Sequence, residues 1–301
     1  MSDTEALQRI ASPDHTFSVV ALDQRGTMRR MFAAVGQPEV ADAELVAVKE
    51  DIIDGLAGVA SAFLVDPDYG MEAARSHPKR ASFGVLLAAE PASRGTHDGA
   101  PTVTLDPNQP ASWVREQGAD AMKFLCQIRA DRPVGADGRD LTAEAVGALR
   151  ELIADCAQTG VPSVVENLIY ALPGAQSLTP EQRADAIVEA AALIDALQPS
   201  LLKLEYPGSP EACRRLASRL TRPWAVLSAG VPMAQFAEVL RISCDEGGAS
   251  GFIAGRAIWA EAVGMPRDQR QAFLGDEGRR RLDECVSVID GRARPFTEVT
   301  P

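Results

Sequence analysis

Eight short apolar runs rich in β-forming residues recur along the chain, and each is followed by a stretch with helical periodicity. This alternation is typical of parallel strands joined by helical crossovers. The predicted strands cover residues 17–23, 62–66, 83–90, 121–125, 163–166, 201–205, 224–228 and 251–254. Eight β/α units favour an α/β fold of one domain, a (β/α)8 TIM barrel over residues 1–301. An open doubly wound sheet is the alternative, but no glycine-rich dinucleotide fingerprint follows the first strand.

Local signals mark where several helices between the strands begin and end. Thr179-Pro180 combines a capping residue with a proline suited to the first helical turn, which predicts a helix to about residue 197. Thr142 is the expected cap of a helix that stops at Gly160. The segments 94–109 and 130–140 are rich in Gly, Pro and Asp, so we expect loop insertions there.

Composition and charge argue against several classes of partner and site. The formal charge of −12 disfavours nucleic acid and anionic membranes, and no apolar run in the sequence is long enough to span a membrane. The five cysteines occur singly, and the first thirteen residues resemble neither a signal nor a transit peptide, which favours a reducing cytoplasm. Of the cysteines, Cys126 is the candidate for more than a structural role. The three histidines are isolated, so we expect no metal site.

Lys203 lies inside an apolar run, between Leu202 and Leu204, where an ammonium group would lose its hydrating water. Burial of a charged amine costs several kcal/mol unless the charge is paired. A lysine kept neutral by apolar walls is a nucleophile that can form a Schiff base with a carbonyl. The alternative is a structural lysine at the strand end that pairs with Glu205 or reaches water, and for a lone lysine this is the commoner case.

Ionisable and polar side chains recur at the carboxyl ends of the predicted strands, where a barrel gathers its active site. They are Asp23, Asp66, Glu90, Lys123, Glu166, Lys203, Ser228 and Arg256. A single charge at a strand end is ordinary, because the chain meets water there. Several such groups converging on one barrel mouth favour a catalytic site, and they reverse the assessment of Lys203.

Chemistry suggests a role for each central group. With Lys203 as the Schiff-base nucleophile, Lys123 would favour its neutral form by like-charge repulsion or bind a substrate hydroxyl or acid group. Glu166 follows two valines, a setting that raises a carboxyl pKa, so it would protonate the departing water of a carbinolamine and then act as a base. Asp23 would bind substrate hydroxyls or accept a hydroxyl proton during carbon–carbon cleavage. The structural alternatives pair Lys123 with Asp120 or Asp23, and Glu166 with one of the lysines.

Two sequence segments, at the ends of the seventh and eighth predicted strands, indicate a separate anion-binding site. The segments 227–230 (LSAG, with Ser228) and 254–256 (AGR) fall where barrels commonly bind phosphate, using backbone N–H groups and a helix amino terminus. Gly230 and Gly255 allow close backbone approach, and Arg256 supplies a fork-shaped cationic donor. The alternative is that both glycines only form tight turns.

Six motifs, in order over nearly the whole chain, contain these residues. They are Ala21-Leu-Asp-Gln-Arg25, Ala121-Met-Lys-Phe-Leu125, Val165-Glu166, Leu202-Lys-Leu-Glu205, Leu227-Ser-Ala-Gly-Val231 and Ala254-Gly-Arg-Ala257. In these motifs the chain resembles the class I tagatose-bisphosphate aldolases and, more closely, the related sulfofructose-phosphate aldolases. The stretches 28–36 (MRRMFAAVG) and 248–259 (GASGFIAGRAIW) look closest to the sulfofructose branch.

The resemblance implies a TIM barrel without metal or cofactor that cleaves a ketose 1-phosphate through a Schiff base to dihydroxyacetone phosphate and an aldehyde. The expected ketose is 6-deoxy-6-sulfofructose 1-phosphate, which gives sulfolactaldehyde. The alternative is tagatose 1,6-bisphosphate, which gives glyceraldehyde 3-phosphate. Carried over, Lys203 is the Schiff-base lysine, Glu166 an acid/base, and Lys123 and Asp23 neighbouring catalytic or substrate-binding groups. Alternatives from other classes are a non-catalytic phosphosugar-binding barrel and a barrel isomerase.

The residues expected to bind the anionic sugar are Gln24, Arg25, Asp66, Glu90, Ser228, Gly230, Gly255 and Arg256. The sequence departs from the family pattern at Asn167, where the family often has proline, and over residues 91–100, which match neither branch. That loop could help to recognise the far end of the substrate. We expect a cytoplasmic homo-oligomer whose partner is the small-molecule sugar, with neither nucleic acid nor a membrane.

Overall fold

The computed structural model describes residues 3–299 and shows eight parallel strands closed into a barrel. The strands are β1 (Phe17–Leu22), β2 (Ala62–Val65), β3 (Gly84–Ala88), β4 (Ala121–Cys126), β5 (Ser163–Asn167), β6 (Leu201–Leu204), β7 (Trp224–Val226) and β8 (Gly251–Ala254). Each pairs with the next along the chain, and β8 pairs with β1 to close the ring. The predicted barrel is confirmed. Five strands end one or two residues earlier than expected, which places the polar residue at each predicted end just beyond the sheet.

The connections between the strands are largely helical. The α-helices are α1 (Asp3–Leu7), α2 (Gly26–Ala34), α3 (Asp42–Leu56), α4 (Gly70–Ser76), α5 (Ala111–Glu116), α6 (Leu141–Thr159), α7 (Pro180–Asp195), α8 (Pro210–Ala217), α9 (Met233–Asp245), α10 (Arg256–Trp259), α11 (Arg267–Phe273) and α12 (Arg279–Ile289). Short 3-10 turns cover Gln8–Ile10, Arg80–Ser82, Ala260–Ala262 and Phe296–Glu298, and a π-helical turn, Leu274–Gly278, joins α11 to α12. In the described part of the chain, no helix has the length and apolar character needed to cross a membrane.

Capping residues explain where two helices begin. At α7, the Thr179 hydroxyl accepts a hydrogen bond from the Gln182 N–H, and the Gln182 side chain accepts one from the Thr179 N–H. This is the start predicted from Thr179-Pro180. At α6 the prediction is wrong, because the Asp140 carboxylate caps the helix by accepting from the Ala143 N–H at 2.9 Å. Thr142 lies within the first turn of α6.

The insertion after β3 is more regular than its composition suggested. Thr96–His97 and Ala100–Pro101 pair as an antiparallel hairpin. Its turn is Asp98-Gly99, and both residues have positive φ, 50° and 76°. Asp-Gly is the sequence signature of a type I′ hairpin turn, because both central positions of that turn need φ above zero. The prediction of an irregular loop is therefore wrong for residues 96–101, which form a hairpin with a local sequence signal at Asp98-Gly99.

Apolar side chains fill the barrel in two layers. One cluster lies inside the ring of strands and includes Phe17, Leu64, Leu86, Val164 and Ile253. A larger cluster packs the outer faces of the strands against the helices. Since strand side chains alternate between the two faces, each strand is apolar on both, as expected of a parallel sheet that is covered on each side. Polar side chains therefore lie mostly near the strand ends, and Lys123, the third residue of β4, is an exception.

Candidate active site

A cavity of about 550 Å³ opens at the carboxyl ends of the strands. This volume lies in the range of small-molecule sites. Most of the sequence-predicted residues line it: Asp23, Gln24, Arg25, Glu90, Glu166, Lys203, Ser228, Gly255 and Arg256. Three others, Asp66, Lys123 and Gly230, lie outside the lining.

Lys203 points into the barrel from β6 because it shares the inward face with Leu201, two residues earlier. Its side chain is buried, and its Nζ atom lies 3.0 Å from Oε2 of Glu166 on the neighbouring strand β5. The structural alternative, a pair with Glu205, is wrong, because the Glu205 carboxylate pairs with Arg183. Lys203 therefore has a carboxylate beside it and borders the cavity.

Lys123 lies beneath the cavity with no solvent-exposed side-chain surface. Its Nζ atom contacts three carboxylates: Asp23 Oδ2 at 2.7 Å, Glu90 Oε1 at 2.6 Å and Glu166 Oε2 at 2.9 Å. The second oxygen of Glu90 accepts a hydrogen bond from the Leu125 N–H at 3.1 Å. The structural alternative in which Lys123 pairs with Asp23 is therefore present in the structure. We call the following residues the carboxylate–lysine cluster: Asp23, Glu90, Lys123, Glu166 and Lys203.

The lysines set the charge state of the cluster. Burial acts to raise the pKa of Asp23 and of Glu166, but the ammonium groups of Lys123 and Lys203 outweigh it and hold both pKa values below their usual range. Burial acts likewise to lower the pKa of Lys123, and the surrounding carboxylates raise it well above its usual value. Both carboxylates are therefore ionised, and Lys123 is charged, at neutral pH.

The direction of the Glu166 shift corrects the prediction made from its sequence neighbours. Two preceding valines suggested an apolar pocket and a raised pKa. In the barrel, Glu166 instead faces two ammonium groups that come from other strands, Lys123 at 2.9 Å and Lys203 at 3.0 Å. As a carboxylate, Glu166 can accept a proton.

The predicted anion-binding segments meet at the edge of the cavity. The residues after β7 turn sharply, with φ of 50° at Ala229 and 81° at Gly230, and the Val231 N–H donates to the Ser228 carbonyl. A Cβ atom on Gly230 would lie 3.2 Å from the Arg256 guanidinium carbon, so the bare backbone lets Arg256 pack against this turn. Ser228 and Arg256 then line the cavity together. We call Ser228, Ala229, Gly230, Gly255 and Arg256 the anion clip.

Gln24 and Arg25 line the cavity on the side of β1. The Arg25 guanidinium donates to the Glu90 carbonyl at 2.8 Å and lies 3.5 Å from the Asp68 carboxylate, so it bridges neighbouring loops. The Gln24 Oε1 atom is buried and has no hydrogen-bond partner among residues 3–299. A buried acceptor without a partner is costly, and a hydroxyl or N–H donor of a bound ligand would satisfy it.

Comparison with known proteins decides the family. A model of the DeoC/LacD family aldolases matches residues 17–261, a span that includes the whole barrel. The chain belongs to this family. As a DeoC/LacD aldolase it is an enzyme, a carbon–carbon lyase.

Relatives of this aldolase match along most of their length. Tagatose 1,6-diphosphate aldolase 2 of Streptococcus pyogenes serotype M3 is 28% identical, over 95% of this chain and 94% of the relative. Tagatose 1,6-diphosphate aldolase of Lactococcus lactis subsp. lactis is 26% identical, over 98% and 97%. An archaeal fructose 1,6-bisphosphate aldolase of known structure superposes with a TM-score of 0.62 at 15% identity, covering 95% of this chain and all of the other, which shows a common fold. The expected sulfofructose branch gains no support from these relatives.

Asp66 of the aldolase is predicted to bind the substrate directly, but in the structure it lies outside the cavity lining. Its buried carboxylate pairs with Lys49 and accepts hydrogen bonds from the N–H groups of Asp68 and Tyr69 at 3.0 and 2.8 Å. Lys49 also donates to the Gln24 carbonyl at 3.0 Å. Burial lowers the pKa of Lys49, an effect that the Asp66 carboxylate opposes. The pair thus joins the loops after β1 and β2 and holds the backbone at Gln24.

Cys126 and Asn167 have structural roles in the aldolase. Burial raises the pKa of the Cys126 thiol, which donates to the Glu166 carbonyl at 3.3 Å, so it is not a reactive thiolate. The Asn167 side chain accepts from the Ile128 N–H at 2.7 Å and donates to the Ile128 carbonyl at 3.3 Å. Asn167, which replaces the proline often found in the family, therefore holds the loop after β4 in place.

Sequence reasoning missed two arginines that line the cavity, Arg30 and Arg94. Arg30 lies in α2, within the segment 28–36 that carried part of the family resemblance. Arg94 lies in the insertion after β3, within residues that match neither branch. Neither follows a strand directly, so a search restricted to strand ends could not select them.

Proposed function

We propose that the chain is a class I aldolase that cleaves a ketose 1-phosphate through a Schiff base on Lys203. The observation that carries the proposal is the Lys203 amine, which is buried at the edge of the cavity, 3.0 Å from the Glu166 carboxylate. At that distance a proton can pass directly between the two groups. Membership of an aldolase family supports the same reaction.

The first stage forms the Schiff base. Transfer of the Lys203 ammonium proton to Glu166 gives a neutral amine and a neutral acid. The amine attacks C2 of the ketose, and a proton moves from nitrogen to the former carbonyl oxygen to complete the carbinolamine. Glu166 then donates its proton to that hydroxyl, water leaves, and an iminium ion and the Glu166 carboxylate remain.

The second stage breaks the carbon–carbon bond. The regenerated Glu166 carboxylate takes the proton of the C4 hydroxyl, the C3–C4 bond breaks, and its electron pair passes to the iminium to form an enamine. The C4 oxygen becomes the carbonyl of the departing aldehyde. Protonation at C3 and addition of water to the iminium release dihydroxyacetone phosphate and restore Lys203. Asp23, which lines the cavity as a carboxylate, accepts hydrogen bonds from the sugar hydroxyls.

Lys123 serves this scheme as a positioning residue. It lies outside the cavity lining, so it does not touch the substrate. Its raised pKa keeps it charged while it holds Asp23, Glu90 and Glu166 in place. A permanent charge beneath the carboxylates stabilises the ionised form of Glu166 each time that it gives up its proton.

The anion clip would hold the phosphate on C1. C1 is bonded to C2, and β7 and β8, which carry the clip, follow β6, which carries Lys203. Backbone N–H groups and a guanidinium are the donors that bind phosphate most strongly.

The substrate is a ketose 1-phosphate, with two candidates that differ in the group on C6 and in the configuration at C4. The relatives named tagatose 1,6-diphosphate aldolase favour tagatose 1,6-bisphosphate. The segments 28–36 and 248–259 favour 6-deoxy-6-sulfofructose 1-phosphate on the strength of sequence resemblance. A side-by-side measurement of kcat/KM on both ketoses decides between them, because an enzyme discriminates between substrates by the ratio of their kcat/KM values.

Borohydride trapping tests the Schiff base directly. Incubation with dihydroxyacetone phosphate and sodium borohydride should attach the reduced three-carbon unit to Lys203, identified by peptide mass mapping. Among the described residues, the exposed lysine Lys79 is the internal control for non-specific labelling. No adduct, or an adduct on another lysine, contradicts the proposal, and binding without an adduct indicates a phosphosugar-binding barrel. Cleavage should persist in EDTA, because the iminium supplies the electron sink.

A further inference from the structure

We propose that Arg30 and Arg94 bind a second anion, the phosphate or sulfonate at the end of the ketose remote from the carbonyl. The inference rests on the proposed aldolase reaction and names the part of the same site that selects the substrate. Both arginines line the cavity that contains Lys203. Their shared ligand chemistry is a tetrahedral oxyanion, to which a guanidinium can donate two parallel hydrogen bonds.

The order of strands places this pair where the far end of the sugar must lie. Arg30 belongs to the helix after β1, and Arg94 to the insertion after β3. These two units flank β2, which lies across the closed ring from β6 and therefore from Lys203. With C2 on Lys203 and the C1 phosphate on the anion clip, the carbon chain extends away from β6 towards the loops after β1 and β3.

Both guanidinium groups are available to a ligand. Arg94 is exposed and has no hydrogen-bond or ion-pair partner within residues 3–299. Arg30 is also exposed, and it donates to the neutral Thr27 hydroxyl at 2.9 Å. Arg25, in contrast, is held by the Glu90 carbonyl and the Asp68 carboxylate. In a chain with a formal charge of −12, unneutralised cations at a cavity are available to an anionic ligand.

The hairpin after β3 gives Arg94 a defined position. The Thr102 N–H donates to the Gly95 carbonyl at 3.0 Å, which extends the hairpin pairing to the residue beside Arg94. His97 anchors the hairpin to the next insertion, because its Nε2 atom lies 2.8 Å from Asp137 Oδ2 and its Nδ1 atom 3.1 Å from Arg139 Nη1. Arg94 is thus presented from an anchored element rather than from an unsupported loop.

The test uses Arg94→Gln and Arg30→Gln in the full chain, with ketoses that differ only at C6. One pair is tagatose 1,6-bisphosphate and tagatose 1-phosphate; the other is 6-deoxy-6-sulfofructose 1-phosphate and fructose 1-phosphate. Each variant should lower kcat/KM for the substrate with the terminal anion by roughly 10- to 100-fold, as expected for a lost hydrogen bond to a charged group. Cleavage of the ketose without that anion should change by no more than about twofold. The pair that shows the larger loss identifies phosphate or sulfonate as the bound group.

Arg150→Gln is the matched control. Arg150 is exposed on α6 and, like Arg94, has no partner in the described part of the chain, so the variant removes the same charge away from the cavity. A loss shared equally by both members of a substrate pair, or no loss at all, overturns the inference. Trapping of dihydroxyacetone phosphate on Lys203 should be unchanged in Arg94→Gln, because that product carries only the C1 phosphate. Absence of trapping in the unsubstituted protein would instead overturn the proposed function, and this inference with it.

Discussion

At the floor of the cavity Lys123 contacts three carboxylates, whereas at the rim Arg94 and Arg256 have no hydrogen-bond or ion-pair partner among residues 3–299. The difference follows from the exposure of each side chain to solvent. A fully buried ammonium must be paired, because the alternative costs several kcal/mol. An exposed guanidinium is hydrated and can remain unpaired until a ligand arrives. The floor is therefore preorganised by its own contacts, and the rim is left available for binding.

Lys203 lies at the boundary between these two regions. It is buried like Lys123, yet it borders the cavity and contacts Glu166. The use of lysine in this chain follows the same division. The sequence has four lysines, three of which are buried: Lys49, Lys123 and Lys203. Surface positive charge is supplied largely by arginine, so the compact, titratable ammonium group is concentrated at sites where it is paired or reactive.

The largest expected effect is on catalysis, from Lys203→Met. Loss of the amine removes the covalent intermediate, and kcat should fall by at least about 10⁴-fold. Glu166 keeps its contact with Lys123, so the folded state should persist, as checked by circular dichroism. Lys79→Met is the control, since Lys79 is exposed. Retention of more than a few per cent of activity would place the nucleophile elsewhere.

The next largest effect is on stability, from Lys123→Met. Three carboxylates would lose their common cation, and removing one partner of a buried ionic group costs about 3–5 kcal/mol of unfolding free energy. Urea denaturation of the variant and of Lys79→Met measures this difference. A loss of unfolding free energy below about 1 kcal/mol would mean that the stability of the cavity floor does not depend on the charge of Lys123.

The same variant should change the pH dependence of stability. Asp23 and Glu166 have native pKa values below their ordinary values of 3.8 and 4.5. The stability they contribute is therefore fully present above about pH 4.5 and is lost as pH falls through the lowered native values. Without Lys123 both native pKa values rise towards the ordinary values, so these two carboxyl groups should contribute a smaller acid-induced loss, and stability should fall less steeply with decreasing pH than in the unsubstituted protein. Thermal melts between about pH 3 and pH 7 test this, and an unchanged acid limb contradicts it.

A smaller effect is expected at the rim, from Arg256→Gln. Binding of the C1 phosphate should weaken and kcat/KM should fall by roughly 10- to 100-fold. The free energy of unfolding should change by no more than about 0.5 kcal/mol, because the side chain is exposed. Steady-state kinetics and urea denaturation on one preparation give both quantities. A stability loss as large as that of Lys123→Met would remove the distinction between floor and rim.

The smallest effect is expected from Ala229→Gly in the anion clip. Ala229 has φ of 50°, which costs an L-residue about 1 kcal/mol or more. Glycine relieves this strain but gains freedom in the unfolded chain, so the net stabilisation should be at most about 1 kcal/mol. Differential scanning calorimetry measures the shift. A lower melting temperature would show that the left-handed backbone is not strained.

Local patterns in the sequence were sufficient to predict the barrel. Each strand is a short apolar run between turn and helix signals, and these signals act over a few neighbouring residues. The strand ends then predicted that Lys203, Glu166 and the anion clip lie near one another, because a barrel brings all carboxyl ends to one face. The hairpin turn at Asp98-Gly99 was equally local and could have been predicted.

Contacts across the barrel could not be predicted in the same way. Lys123 and Asp23 are 100 residues apart in sequence and 2.7 Å apart in space. The partner of Asp66 is Lys49, which lies in the middle of a helix, so no strand-end pattern indicated it. Electrostatic energies depend on such distances and on burial, and neither quantity is encoded in the immediate neighbours of a residue.

Local patterns in the sequence predict the (β/α)8 fold, the buried position of Lys203 and the convergence of charged groups at one end, because periodicity and strand parity are local properties. Only the packing of distant segments makes Glu166 a carboxylate in the folded protein, pairs Lys123 with three carboxylates, and brings Arg30 and Arg94 to the cavity. The physical reason is that the state of a buried charge is set by the charges packed against it, whatever their distance along the chain.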